Sequence, residues 1–395
     1  MAAELPAAEA SATALLLELL QAGLQSVEGR RCVRAALSAI APGGRFVAAA
    51  IGKAALAMAL GAREALGAAL EAVLVVCPDA PGDEAFVAPA GLEIHRSAHP
   101  LPDARSLRAG ARLLAWLEAL PATVTPLFLI SGGASALVEV PIPGVTLSEL
   151  VRLTQRALAD GRDIVALNTA RAALSQIKGG ALAARLGGRR ALALFISDVP
   201  SDDPALIGSG LLGPAPGGDA VEREIIASID RAMDAVVDAA RARGLTATRA
   251  RHRFAGDVRR LATQFTHELA LSDTEVRVWG GESTLVLPEA PGRGGRNQHL
   301  ALAAARLLAG YPNLALLAAA TDGRDGPTAE AGAVVDGETC GRIALQGLDC
   351  DERLRRADSG TALAAAGALV RTGDTGTNVA DLVIGLKRTL RHAVV

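Results

Sequence analysis

The chain alternates between short apolar runs and longer stretches with apolar residues at helical spacing. Leu15, Leu16, Leu19, Leu20 and Leu24 lie on one helical stripe, so residues 11–40 read as one or two amphipathic helices. The run RFVAAAI at 45–51 reads as a buried strand, with Gly52-Lys53 as its turn and 54–70 as the following helix. Further strands are expected at 72–77 (ending in a loop at 78–82), 92–96, 127–130 and 191–196. Helices are expected up to residue 120, over 146–159, and within 163–178. The stretch PAPGGD at 214–219 is the most linker-like, and helices over 221–243 and 256–271 are expected to follow it. A strand at 275–279 then runs into a Gly280-Gly281 turn, a second short strand at 283–287, and an Ala/Leu-rich helix after a Gly-rich loop. Strands at 314–320 and 381–386 flank a segment at 332–336 and a helix at 361–368. The alternation argues for α/β sheets covered by helices on both faces, and no solenoid period appears.

A length of 395 residues exceeds one ordinary core, so two α/β domains are expected, 1–240 and 241–395. A net charge of −2 offers no basic face for nucleic acid, and 2% aromatic residues offer no platform for stacking bases. No apolar run reaches the roughly 18 residues of a membrane span. The amino terminus carries acids where a signal peptide needs Lys or Arg, so the expected location is cytoplasmic. Cys32, Cys77, Cys340 and Cys350 lack metal-type spacing and read as buried thiols of a reducing compartment. Arg is the routine cation; Lys occurs only at 53, 178 and 387, and Asn only at 168, 297, 313 and 378. Most of these rare residues sit in Gly- or Arg-bearing motifs, which marks them as candidates for chemistry.

The candidate chemistry gathers at turns. Gly52-Lys53 between strand and helix places a cation where an anion can dock, although Ala54 stands where a P-loop needs Ser or Thr. Asp103 and Ser106 read as helix caps, whereas His99 in its Pro-rich loop is the functional candidate of that segment. Ser131-Gly132-Gly133-Ala134-Ser135 is a small-residue turn at the carboxyl end of a buried strand, a usual ligand cradle. Asn168 and Arg171 share a helix face, and Lys178 follows them. Asp198, Asp202 and Asp203 after a strand suit Mg²⁺ or proton transfer, or form a plain polar turn. Gly281 and Glu282 precede Gly294, Gly295, Arg296 and Asn297, where glycines, helix N–H groups and guanidinium can meet one anion; a hairpin with a basic loop is the bland alternative. Asp322 and Asp325 follow the next strand, and one of them is expected to accept a substrate proton.

Taken in order, Gly52-Lys53-Ala-Ala, His99-Pro-x-Pro-Asp103, Ser131-Gly-Gly-x-Ser135, Asn168-x-x-Arg171 with Lys178-Gly-Gly, and Ser197-Asp198-Val resemble the class II glycerate 2-kinases. Gly280-Gly-Glu282, Gly294-Gly-Arg296-Asn297-Gln298, Thr321-Asp322-Gly-x-Asp325-Gly and Thr375-Gly-Thr-Asn378 continue the resemblance. These are the kinases with a MOFRL domain, once labelled hydroxypyruvate reductases. The resemblance implies a Rossmann-like three-layer N-terminal domain, a C-terminal α/β domain, and an active site in the cleft between. It implies transfer of the ATP γ-phosphoryl group to the 2-hydroxyl of D-glycerate with Mg²⁺ or another divalent metal. Lys53, Arg296, Asp198 and Asp322 are the catalytic expectations, with Asp198, Asp202 and Glu282 as metal ligands. Gly52, His99, Ser131, Gly132, Gly133, Ser135, Asn168, Arg171, Lys178, Gly281, Glu282, Gly294, Gly295, Asn297, Asp325, Thr375 and Asn378 are expected around substrate and nucleotide. Neither nucleic acid nor membrane is an expected partner, and the assembly is left open between monomer and homodimer. Three loops depart from the family pattern, at Pro200-Ser201, Gly208–Leu212 and Gly373-Asp374. The alternatives are a related sugar-acid kinase or an NAD(P)H-dependent reductase. The latter needs G-x-G-x-x-G after a strand with an acid about 20 residues on, and no stretch is read as one.

Overall fold

The apolar runs near the amino terminus become parallel neighbours in a computed structural model, which describes residues 11–40, 43–79, 89–159 and 164–388. The amino-terminal ten residues, most of the 78–82 loop and the start of the 163–178 stretch lie outside the described residues. Strands β1 (Arg45–Ile51), β2 (Leu70–Pro78), β3 (Leu92–Ser97), β4 (Val124–Ile130), β5 (Ala191–Ile196) and β6 (Val221–Ala227) form one sheet in the order β3-β2-β1-β4-β5-β6. Every pair in it is parallel. β5 is buried at all its positions, and β1 at all but the first, as strands covered on both faces must be. Trp116 meets Phe128 edge-on at 5.7 Å in the core beneath. The helix Ala104–Glu118 starts at Asp103, whose carboxylate accepts from the Arg105 amide in a capping box with Ser106, as their capping reading expects. The order reverses between β1 and β4, so the turns after these two strands flank the switch point where doubly wound sheets bind ligands.

The stretch 221–243, expected as one helix, is strand β6 followed by the helix Ile229–Ala242. Its Glu and Arg residues suit a helix locally, but pairing with β5 decides the outcome. The linker-like 214–219 is a fixed turn that feeds β6. Asp219 accepts from the Ala215 and Val221 amides and pairs with Arg223, which holds its carboxyl down at about 2.

The second sheet is mixed. It contains β7 (Ala247–Arg249), β8 (Phe254–Asp257), β9 (Val276–Thr284), β10 (Leu314–Ala320), β11 (Gly332–Asp336), β12 (Leu369–Val370) and β13 (Asp381–Lys387). Its order is β12-β11-β10-β13-β9-β7, with β8 also paired to β9. β9, β13, β10, β11 and β12 run antiparallel to their neighbours, while β7 and β8 lie parallel to β9. Phe254, Phe265 and Trp279 stack into its core with the helices Val258–Ala270 and Arg296–Leu308. Gly280-Gly281 makes no turn. β9 runs straight through it, paired with β13 at both glycines and with Phe254 of β8 at Gly281, where a side chain would strike the Phe254 backbone at 2.1 Å.

Two compact units interleave along the chain. One comprises residues 26–231 and 374–380; the other comprises 11–25, 232–373 and 381–388. The short segment 374–380 therefore carries Thr375 and Asn378 into the unit of the parallel sheet. Cys32 and Cys77 are buried thiols, but Cys340 and Cys350 are only half-buried and their Sγ atoms lie 3.1 Å apart. Among the described residues no helix is long and apolar enough to cross a membrane.

Candidate active site

In the parallel unit the turns after β1 and β4 are bonded to each other. The Ser131 amide donates to the Ile51 carbonyl (3.0 Å), the Lys53 amide to the Gly132 carbonyl (2.9 Å), and the Ala54 amide to Ser131 Oγ (3.0 Å). Gly52 must be glycine, since a Cβ there would lie 2.1 Å from Ser131 Oγ. A methyl group on Gly132 would fall 2.1 Å from both Asn378 Nδ2 and Asp198 Oδ2. One on Gly133, whose φ is +83°, would lie 3.0 Å from the His99 ring and 3.3 Å from Lys53 Cγ. The glycines at 132–133 thus leave room for Lys53, His99, Asp198 and Asn378 to converge against the backbone. Asn378 Nδ2 donates to Asp198 Oδ2 at 3.4 Å, across 180 positions of sequence. The result is a half-open patch of two nitrogen-bearing side chains, one carboxylate and one amide, seated on glycine backbone at the switch point.

Behind that patch the expected binding residues have structural duties. Ser135 Oγ lies 2.7 Å from Ser209 Oγ, Ser209 donates to Asn168 Oδ1 (2.8 Å), and Asn168 Nδ2 donates to the Leu206 carbonyl (3.1 Å). Ser209, held at φ +58°, is one residue the sequence reading missed; its place in a loop that departs from the family pattern is the available signal. Lys178 is not presented to a ligand: it is buried and its ammonium donates to Glu139. Burial works against both charges, holding Lys178 below and Glu139 above the ordinary range, while each partner opposes that shift in the other. Arg171 is half-buried, donates to Thr154 Oγ1 at 3.3 Å, and is lowered by the same burial. Gly208-Ser-Gly210-Leu-Leu-Gly213 has the letters of a dinucleotide fingerprint but not its place. It lies well beyond the end of β5 and leads to β6 rather than to a helix.

The Gly-rich loop of the second unit opens the helix Arg296–Leu308 as expected, but its amides are already taken. Asp325 accepts from the Asn297 amide (3.0 Å) and the Gln298 amide (2.7 Å). Gly295 makes room for it: a Cβ there would sit 2.3 Å from Asp325 Cγ, just as one at Gly294 would meet Ser359 Oγ at 2.5 Å. The anion drawn to this helix start is therefore the protein's own. Asp325 is 2% exposed, and burial pushes its carboxyl up to about 6 against those amides. This removes Asp325 as a solvent-reachable base and leaves half-exposed Asp322, whose Oδ1 accepts from the Arg324 amide.

Arg296 Nη1 donates to Glu282 Oε1 (2.8 Å) and to the Ser283 carbonyl (2.9 Å), and its side chain is 39% exposed. Burial opposes its charge, but Asp381 and Glu282 outweigh burial and hold its pKa above the ordinary range. Glu282, expected as a metal ligand, is thus paired with arginine. It falls in one unit, while Asp198 and Asp202 fall in the other. Among the described residues no three His, Cys, Asp or Glu side chains form a metal cluster. Asp198 with its neighbouring amide suits the other common arrangement, in which Mg²⁺ takes one or two carboxylates and completes its shell with substrate phosphates and water.

Residues 15–242 match a domain family of unknown function, DUF4147, and residues 275–381 match the MOFRL family. The chain is 34% identical to a protein named D-glycerate 2-kinase from Thermotoga maritima, the alignment covering 94% of this chain and 97% of that one. It is 32% identical to a human protein named glycerate kinase, over 84% and 82% of the two chains. A crystal structure of glycerate kinase from Thermotoga maritima superimposes with a TM-score of 0.84 at 32% identity, covering 95% of this chain and 99% of that one. The chain belongs to the glycerate kinase family that joins a DUF4147 domain to a MOFRL domain.

Proposed function

We propose that this protein is an ATP-dependent glycerate kinase that phosphorylates the 2-hydroxyl of D-glycerate. The observation that carries the reading is the convergence of Lys53, His99, Asp198 and Asn378 against the backbone of Gly132 and Gly133. Phosphoryl transfer asks a protein chiefly to hold two anions in line and to neutralise charge. Lys53 serves as the point charge on the moving phosphoryl group. Asp198, aided by Asp202, holds a divalent cation, which would neutralise phosphate charge when bound. Arg296 supplies a guanidinium contact to a substrate anion, because the Nη1 group that holds it at the surface is paired with half-exposed Glu282, which an anion can displace. Asp322 accepts the hydroxyl proton.

The reductase alternative lacks support from the fold, since the only fingerprint-like letters lie in the wrong place. An assay of purified protein with γ-labelled ATP and D-glycerate, run beside NAD(P)H oxidation with hydroxypyruvate, tests the proposal. Label transfer and a ³¹P signal for the 2-phosphate are expected. Hydride transfer without label transfer would overturn it.

A further inference from the structure

We propose that Asp381 is a positioning residue that fixes the Arg296 guanidinium, an inference that rests on the reading of Arg296 as a substrate contact. Asp381 opens β13, and its backbone is clamped between Gly281 of β9 and Ala320 of β10. The side chain is 2% exposed, at the head of a strand, DLVIGLK, that is apolar from Leu382 to Leu386. Its Oδ1 accepts from Asn297 Nδ2 at 2.8 Å. Its Oδ2 is buried, has no hydrogen-bond partner among the described residues, and lies 3.7 Å from Arg296 Nη2. A buried carboxylate oxygen without a donor is costly unless something compensates it, and the guanidinium is the cation within reach.

The two carboxylates on Arg296 differ in kind. Glu282 is 54% exposed, so its hold on Nη1 is a solvent-screened contact that a substrate anion can displace. Asp381 is rigid, dry and fixed by the sheet, so it keeps the guanidinium in place when the outer partner changes. Asn297, next in sequence to Arg296, ties the same carboxylate to Asp325, 3.4 Å from its Nδ2. The charged groups facing Asp381 are thus Arg296, Glu282 and Asp325. Burial and the two acids push its carboxyl up to about 7, while Arg296 and Asn297 oppose.

The test is a kinetic cycle on the full chain with Asp381→Asn, Arg296→Lys and the double variant. Asp381→Asn keeps an acceptor for Asn297 and removes the charge facing Arg296. It is expected to lower kcat by about 10- to 100-fold, the cost of a misplaced reactive contact, with little change in the KM for ATP. The double variant is expected to be no worse than Arg296→Lys alone, because both remove the same contact. Unchanged kinetics, additive losses, or a lower KM for glycerate at unchanged kcat would each overturn the inference; the last would make Asp381 a mere competitor for the guanidinium. If Asp381→Asn does not fold, Asp381→Ser takes its place. Failure of both, seen in melting curves, would make Asp381 a folding residue and also overturn the inference. Full activity in Arg296→Lys would instead sink the reading of Arg296 on which the inference rests.

Discussion

Lys53 and Asp198 meet at the Gly132-Gly133 turn, and the proposed function gives them different jobs whose difference can be measured. Removal of a charge contact made to the transferring group costs on the order of 10²-fold in turnover. Lys53→Ala should therefore lose at least that much while its melting curve stays that of the parent, since the side chain is only half-buried. Wild-type turnover would take Lys53 out of the site. Asp198→Asn should behave otherwise. The amide can still pair with Asn378, so the fold survives, but a weaker oxygen ligand should raise the Mg²⁺ concentration needed for half-maximal rate. An unchanged metal titration would move the cation away from Asp198. Lys178 shows why residue rarity alone is an unreliable guide: it is one of three lysines, yet its ammonium is buried against Glu139.

At the scale of an element, the helix Arg296–Leu308 combines a capped start with a buried histidine. His299 is 1% exposed, neither ring nitrogen has a hydrogen-bond partner among the described residues, and burial lowers its pKa to about 4, with Arg259 adding to the effect. Above pH 6.5 the ring is neutral whether the chain is folded or unfolded, so it makes no pH-dependent difference. As the pH falls from 6.5 toward 4 the unfolded chain takes up a proton that the folded one refuses, and stability drops. The loss approaches about 3 kcal/mol at pH 4. Asp325 and Asp381, whose carboxyls are raised, act with the opposite sign: the folded state holds their protons first, so they add stability as the pH falls below about 7. Comparison with His299→Leu cancels that shared contribution. Its stability relative to the parent, from urea denaturation, should grow steadily between pH 6.5 and 4, and a pH-independent difference would refute the assignment. The helix itself was legible from its Ala/Leu run and Gly entrance. That Asp325 would fill its amides was not, because the helix start offers the same N–H groups to a ligand or to a side chain.

For the whole molecule, the interleaving of the units has a direct consequence. Asn378, the partner of Asp198, belongs with residues 26–231 although it lies beyond the long insertion of the other unit. A fragment of residues 1–240 would lack both Asn378 and Arg296, and it should transfer no label from ATP to glycerate even if folded. Activity at the full-length rate would show that residues 1–240 hold the whole catalytic apparatus.

The amino-acid pattern by itself determined the buried strands β1, β4, β5 and β10, the Asp103 cap, and the ordered string of Gly-bearing turns that marks the family. Those signals are local: a strand covered on both faces must be apolar along its length, and a cap must sit beside its helix. Only the tertiary structure decided that 221–227 is a strand, because that choice depends on an open sheet edge beside β5. Only the tertiary structure decided which carboxylate meets which donor or cation: Asp325 the helix amides, Glu139 Lys178, Asp381 Arg296. Each of these pairs joins residues far apart in sequence, and burial decides whether a charge faces a ligand or a partner within the protein.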